Sequence, residues 1–296
     1  MRAYERLLNY VVVRTPSDEH STTSPSSQCQ FDLARILADE MTALGISDVS
    51  LDEFCYVYGK IPATPGYENK PSIGFIAHMD TVSDFADHAV NPIVHENYDG
   101  KDLKLADSGR TLEVSVFPHL PSLAGRTLIT SDGTTVLGAD DKAGVAEIMT
   151  LAEALLAGEI PHGPISIGFT PDEEIGEGPD FFDVPGFDAE FAYTVDGGGL
   201  GELEYENFNA ASAKIELRGK SIHPGSAKDK MKNAAVMAME FHSELPKQAC
   251  PERTSGYEGF FHLDGIAGDV EETVMDYIIR DHDKQKFEEK KAYITR

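Results

Sequence analysis

Positive charge is scarce in this chain. Its 296 residues carry 25 Lys and Arg against 51 Asp and Glu, a formal charge of −26. So acidic a surface repels phosphates, which argues against DNA, RNA or an anionic membrane as partner. Long apolar runs are missing too, since none approaches the ~20 residues that span a bilayer. The N-terminal MRAYERLLNYVVVRTPSDEH has one short apolar stretch, broken by charges and lacking a small-residue cleavage site, so no signal peptide is expected. Only three cysteines occur (Cys29, Cys55 and Cys250), far apart and with no CxxC. That usage fits free thiols in a reducing, cytoplasmic compartment better than a disulfide framework. Repeats and low-complexity segments are absent. So are the GxxxxGKS/T, GxSxG and HExxH motifs, which leaves nucleotide, serine-hydrolase and zincin chemistry without support. What remains is an ordinary globular balance, 41% apolar and 26% charged, long enough for two domains with real cores.

Residues 31–44 space Phe31, Leu33, Ile36, Leu37, Met41 and Leu44 at helical intervals, with Gly45 as C-cap. Short β-rich runs follow at Ser72–Ala77, Arg126–Thr130, Ile165–Thr170 and Phe191–Val195, and a helix is predicted over Ala143–Leu156. Strands alternating with helices indicate an α/β domain built on a mixed, largely parallel sheet. Residues 82–125, rich in Asp, Gly, Pro and His, read as extended loop and edge structure. Gly197–Glu202 (GGGLGE) is a flexible joint. Beyond it the pattern is strand (Ala211–Arg218), helix (Asn233–Leu245), strand (Gly256–Leu263), strand (Thr273–Arg280), helix (Asp283–Lys290). This β-α-β-β-α order is a smaller ferredoxin-like unit without its last strand, C-terminally incomplete, with AYITR expected to open another element. The expected domains are 1–206 and 207–296.

Each β-rich run of the first domain ends in acid or histidine. Ile73–Ala77 leads into His78-Met79-Asp80, and Arg126–Thr130 leads through SDGTTVLG to Asp140-Asp141. Ile165–Thr170 leads to Asp172-Glu173-Glu174, and Phe191–Val195 to Asp196. Open α/β sheets bind ligands at the carboxyl ends of their strands. Four adjacent ends therefore bring His78, Asp80, Asp140, Glu173, Glu174 and Asp196 to one small volume. Packed carboxylates repel one another unless cations sit among them. One imidazole with several carboxylates suits a borderline divalent ion, Zn²⁺ first, with Co²⁺ or Mn²⁺ as alternatives. Successive residues leaving a strand point to opposite sides. One of Glu173 and Glu174 can thus ligate while its neighbour serves as general base beside an activated water. In His78-x-Asp80 the two side chains point the same way, so Asp80 can buttress the imidazole.

A single acidic cluster in an acidic protein is most often a solvated loop end; four of them, each at the end of a core-like strand, weigh against that. His88, His95, His119 and His162 read as surface histidines in loops, and His242 and His262 as packing residues. Met231, Met237 and Met239 read as helix core, and the Lys284–Lys290 run as a solvated face.

Together, His78-Met79-Asp80-Thr81-Val82, Gly138-Ala139-Asp140-Asp141-Lys142-Ala143-Gly144, Thr170-Pro171-Asp172-Glu173-Glu174-Ile175-Gly176 and Val195-Asp196-Gly197-Gly198 resemble the di-zinc metallopeptidases of the M20 family. The likeness runs along essentially the whole chain, from NYVVVRTPSDE to the Ser221–Gly225 turn. It implies His78 and Asp196 on one zinc, Glu174 on the other, and Asp140 bridging both. It further implies Asp80 as the orienting catalytic acid, Glu173 as the base that deprotonates bridging water, and His223 and Arg280 as substrate-binding residues on a lid or dimerisation-type domain. The activity implied is release of the N-terminal residue of short peptides, tripeptides above all. A related amidohydrolase or carboxypeptidase acting on N-acyl amino acids or dipeptides stays open, as does a catalytically silent metal-binding fragment. In the family the last ligand of the second metal is a histidine in a C-terminal return segment, which has no counterpart here. One ion is therefore expected to bind well, the second weakly, and tripeptide turnover to be poor. The partners expected are short peptides and a second copy of the chain, with neither nucleic acid nor membrane.

Overall fold

The computed structural model describes residues 1–296 except Asp107 and Glu159. The chain forms two compact units, Met1–Glu202 and Leu203–Arg296. In chain order the first contains α1 (Ala3–Val11), α2 (Gln30–Leu44), β1 (Ser47–Leu51), β2 (Val57–Ile61), β3 (Ile73–His78), β4 (Pro92–His95), β5 (Leu103–Leu105) and β6 (Arg110–Leu112). It continues with β7 (Leu128–Ser131), α3 (Ala139–Leu156), β8 (Ile165–Thr170), α4 (Val184–Phe187) and β9 (Phe191–Thr194). The five-stranded sheet runs β1-β2-β8-β3-β9. β1 with β2 and β2 with β8 are antiparallel, whereas β3 is parallel to both β8 and β9. The sheet is therefore mixed. Its antiparallel side comes from β1 and β2, whose sequences, SDVSL and VYGKI, carry too many polar residues to announce core strands.

Every residue of β8 is buried, as suits a central strand covered on both faces and read as one continuous apolar run. Leu33, Leu37 and Met41 of α2, Val145, Ile148 and Met149 of α3, and Ile165, Ile167 and Phe169 of β8 share one core. Each such side chain contributes about 1.5–3 kcal/mol by leaving water. Gly45 ends α2 at φ 88°, a left-handed C-cap as predicted. Buried Arg6 pairs with Glu40 and Glu153, each at 2.8 Å, and so ties α1 to α2 and α3.

Two expectations need correction. The Arg126–Thr130 run does not join the main sheet: it becomes β7, which among the described residues pairs with β4 alone. Residues 82–125 are not merely loop, because they hold β4, the β5–β6 ladder and a 3₁₀ turn at Leu120–Leu123.

The second unit holds β10 (Asn209–Arg218), α5 (Ala234–Glu244), β11 (Phe260–Gly268), β12 (Glu272–Asp281) and α6 (Lys284–Ile294). Its antiparallel sheet runs β10-β12-β11, the predicted β-α-β-β-α order. Met275, Tyr277 and Ile279 alternate inward along β12 and pack with Ala238, Phe261, Phe287 and Ile294. β11 starts later than predicted and passes an irregularity at Leu263/Gly265. The AYITR end opens no new element. Its first three residues complete α6, because Ile294 buries on the same helical face as Phe287. Among the described residues no helix is long and apolar enough to cross a membrane. The three cysteines are unpaired.

Candidate metal centre

Register decides which residues meet. β3 and β8 run parallel with His78 opposite Thr170, so His78 and the Pro171–Glu174 segment leave the sheet side by side. β9 flanks β3 on its other edge, and the Val195 amide donates to the Ile76 carbonyl at 2.7 Å, which delivers Asp196 to the same end. Asp140 arrives from the start of α3. Gly144, in the first regular turn of that helix, allows the approach: a Cβ there would lie 1.9 Å from the Val195 carbonyl oxygen and 2.4 Å from Asp141 Oδ1.

His78 Nε2 faces the acids, 2.9 Å from Asp140 Oδ1, 3.7 Å from Glu173 and 3.9 Å from Asp196. Its Nδ1 lies 3.0 Å from the Asp80 carbonyl oxygen and 3.2 Å from the Asp80 carboxylate. Two acceptors on that side hold a proton on Nδ1 and leave the Nε2 lone pair free in the neutral ring. Asp80, fully buried, also accepts from the Glu173 amide at 3.0 Å and the Glu174 amide at 3.1 Å. Ligand atoms of His78, Glu173 and Asp196 lie within 4.8 Å of one another, as do those of His78, Asp140 and Glu174. Glu173, expected as base, thus groups with Asp196, whereas Glu174 groups with Asp140.

The electrostatics are those of a place short of positive charge. Burial, then Asp196, Asp80 and Asp140, raise the Glu173 carboxyl; burial and Asp140 raise both Glu174 and Asp196. Burial alone would lower the His78 imidazole, but Asp80, Asp141 and Asp140 outweigh it and push it up to about 10. Acids that resist ionising together, around an imidazole that clings to a proton, are relieved when a divalent cation takes up the fixed negative charge. One nitrogen with carboxylate oxygens is a donor set that such an ion accepts. The residues fit a metal.

His223 and Arg280 belong to the second unit. His223 is exposed and caps the 3₁₀ turn Pro224–Ser226, its Nδ1 accepting from the Gly225 amide at 3.1 Å. That bond leaves Nε2–H pointing away as a donor. Arg280, on β12, lays its guanidinium 4.4 Å from the Phe208 ring centroid, and its buried Nε has no protein partner among the described residues.

The peptidase dimerisation domain of the M20 peptidases matches residues 205–296. Peptidase T of Exiguobacterium sp. is 54% identical over 294 residues, covering 99% of this chain and 71% of that protein. Peptidase T of Bacillus licheniformis is 55% identical over 294 residues, covering 99% and 72%. The chain belongs to the peptidase T family. The fold agrees: the aminopeptidase PepT of Bacillus cereus superposes with a TM-score of 0.68 at 23% identity, over 99% of this chain and 70% of that one. A tripeptidase of Staphylococcus aureus gives 0.66 at 23% identity, over 98% and 70%.

In this peptidase T family member, two buried carboxylates that sequence reasoning left without a role stand beside the centre. Asp141 accepts from the His78 amide at 3.2 Å and from the Gly144 amide at 3.1 Å, and burial pushes its carboxyl up to about 8. Asp172 accepts from Ser26 and Gln30. The only sequence signal for either was an acid next to a suspected ligand, and an acidic loop end shows the same.

Proposed function

We propose that this peptidase is a metal-dependent aminopeptidase that releases the N-terminal residue of tripeptides, with zinc as the ion. The observation that carries the reading is a buried imidazole whose Nε2 faces acids from three separate chain segments, in a relative of peptidases T. His78, Asp140, Glu174 and Asp196 would hold the metal, which when bound supplies Lewis acidity to a peptide carbonyl and to water.

The remaining steps belong to side chains. Glu173 is half exposed, and its carboxyl is raised by burial and by neighbouring acids. Such a group takes a proton from the attacking water and returns it to the leaving amine. Asp80 holds the His78 ring and the Glu173 and Glu174 amides at once, so it orients ligand and base together. The His223 Nε2–H is a donor suited to a developing oxyanion, and the planar fork of Arg280 suits a substrate carboxylate. The match to a dimerisation domain supports a homodimer formed through the second unit.

The test is a panel of tripeptide, dipeptide and N-acetyl amino acid, with metal content measured on the same sample. Tripeptide cleavage that a chelator abolishes is the expected result. Cleavage of the acylated substrate alone refutes the aminopeptidase assignment, and bound metal without any turnover identifies a silent metal-binding protein.

A further inference from the structure

Asp172 has no part in the roles above, yet the residue is 1% exposed and its carboxylate fully engaged. Oδ2 accepts from the Ser26 amide at 2.8 Å; Oδ1 accepts from the Ser26 hydroxyl and from Gln30 Nε2 at 2.6 Å. Gln30 Oε1 accepts in turn from the Asp172 amide at 3.2 Å, which orients the Gln30 side chain. The Asp172 carbonyl receives the Glu177 amide at 3.0 Å. Every group that faces the carboxylate is a donor, so only a pure acceptor satisfies the node. The residue stands at φ 55°, ψ 26°, in the left-handed region that Asp and Asn tolerate better than most side chains. The next two residues are Glu173 and Glu174, whose amides Asp80 takes from the other side.

We propose that Asp172 is a positioning residue: gripped by Ser26 and by Gln30 at the start of α2, it sets the turn on which Glu173 and Glu174 stand. The proposal rests on reading Glu173 as proton acceptor and Glu174 as ligand. Groups hydrogen-bonded directly to a ligand are worth about 10–100-fold in metal affinity or activity, and Asp172, which acts through the backbone turn, belongs at the lower end of that range.

Asp172→Asn keeps size and left-handed tolerance but places an NH₂ against a donor. Three quantities are read: hydrogen exchange of the Glu173 and Glu174 amides on metal-free chain, zinc affinity by calorimetry, and the kcat–KM split on tripeptide. Faster exchange of those amides, zinc binding weakened about tenfold or more, and a kcat loss with KM little changed are expected. Gln30→Glu added to Asp172→Asn supplies an acceptor for the new NH₂ and is expected to restore all three. Should Asp172→Asn fail to fold, Gln30→Ala reads the same quantities with smaller losses. Unchanged exchange and zinc affinity overturn the proposal, and so does a loss that Gln30→Glu does not recover, since that marks plain destabilisation. A parent chain that binds no zinc sinks the metal reading instead, while the exchange rates still decide whether Asp172 holds the turn.

Discussion

Gly144→Ala pits two effects of opposite sign against each other. In a helix the change from Gly to Ala is worth up to about 1 kcal/mol, and Gly144 stands in the first regular turn of α3, after the non-helical Asp140 and Asp141. Here the added Cβ meets the Val195 carbonyl oxygen at 1.9 Å and Asp141 Oδ1 at 2.4 Å. The carbonyl is main chain beside β9 and cannot rotate away, so α3 and the 195–196 segment must part by about 1 Å or more. Overpacking of this kind costs about 1–3 kcal/mol. Losing the 3.1 Å bond from the Gly144 amide to Asp141 adds about 1–2 kcal/mol. The clash wins, with a net loss of about 1–4 kcal/mol, which for a unit of this size lowers Tm by roughly 2–16 °C. The displacement also separates Asp140 from Asp196, so zinc affinity falls with stability. Differential scanning calorimetry, with and without zinc, measures both. A raised Tm, or zinc affinity equal to the parent's, refutes the argument that close approach at Gly144 assembles the centre.

Glu173→Gln is expected to keep metal and to lower kcat by about 10²–10⁴-fold, whereas Glu174→Gln loses metal; metal analysis showing the reverse exchanges the two roles. His78 belongs to both groups of acids that could surround an ion and can serve only one of them fully, so calorimetric titration should find one tight zinc and a weaker second, and two equally tight ions would contradict this. Arg280→Ala should raise KM for tripeptides far more than for tripeptide amides; equal losses exclude a carboxylate clamp. Burial works to raise the Asp281 carboxyl, but Lys290 at 2.8 Å and the Asp283 amide outweigh it and hold it low. Its folded value therefore lies below its unfolded one, so this contribution is complete above about pH 4 and fades as pH falls through the folded value. Asp281→Asn should cost about 2 kcal/mol at pH 7, a cost that shrinks as pH falls through the folded value, read as Tm against pH; a pH-independent cost excludes the ion pair as its cause.

Local pattern was enough for a good part of this molecule. The helical spacing of Leu33, Leu37 and Met41, the continuous apolar run of β8 and the alternation along β12 each report burial within one segment. The sequence by itself also pointed to Glu173, Glu174 and Asp196 beside His78, because the parallel strands β3, β8 and β9 bury their middles and expose their carboxyl ends together; Asp140 arrives instead from the start of α3, since the strand before it lies outside that sheet. Other features depend on partners far along the chain and leave no local trace. β1 is mostly polar and β2 is short, and they become sheet strands because β8 accepts β2 and β2 in turn accepts β1. β7 resembles a core strand yet pairs with β4, since a β pattern states that a residue wants a partner and not which one. Gly144, Asp141 and Asp172 read as ordinary residues. Tertiary structure alone decided that a backbone carbonyl passes 1.9 Å from where a Cβ would stand, and that Ser26 and Gln30, well over a hundred residues away, close on one buried carboxylate.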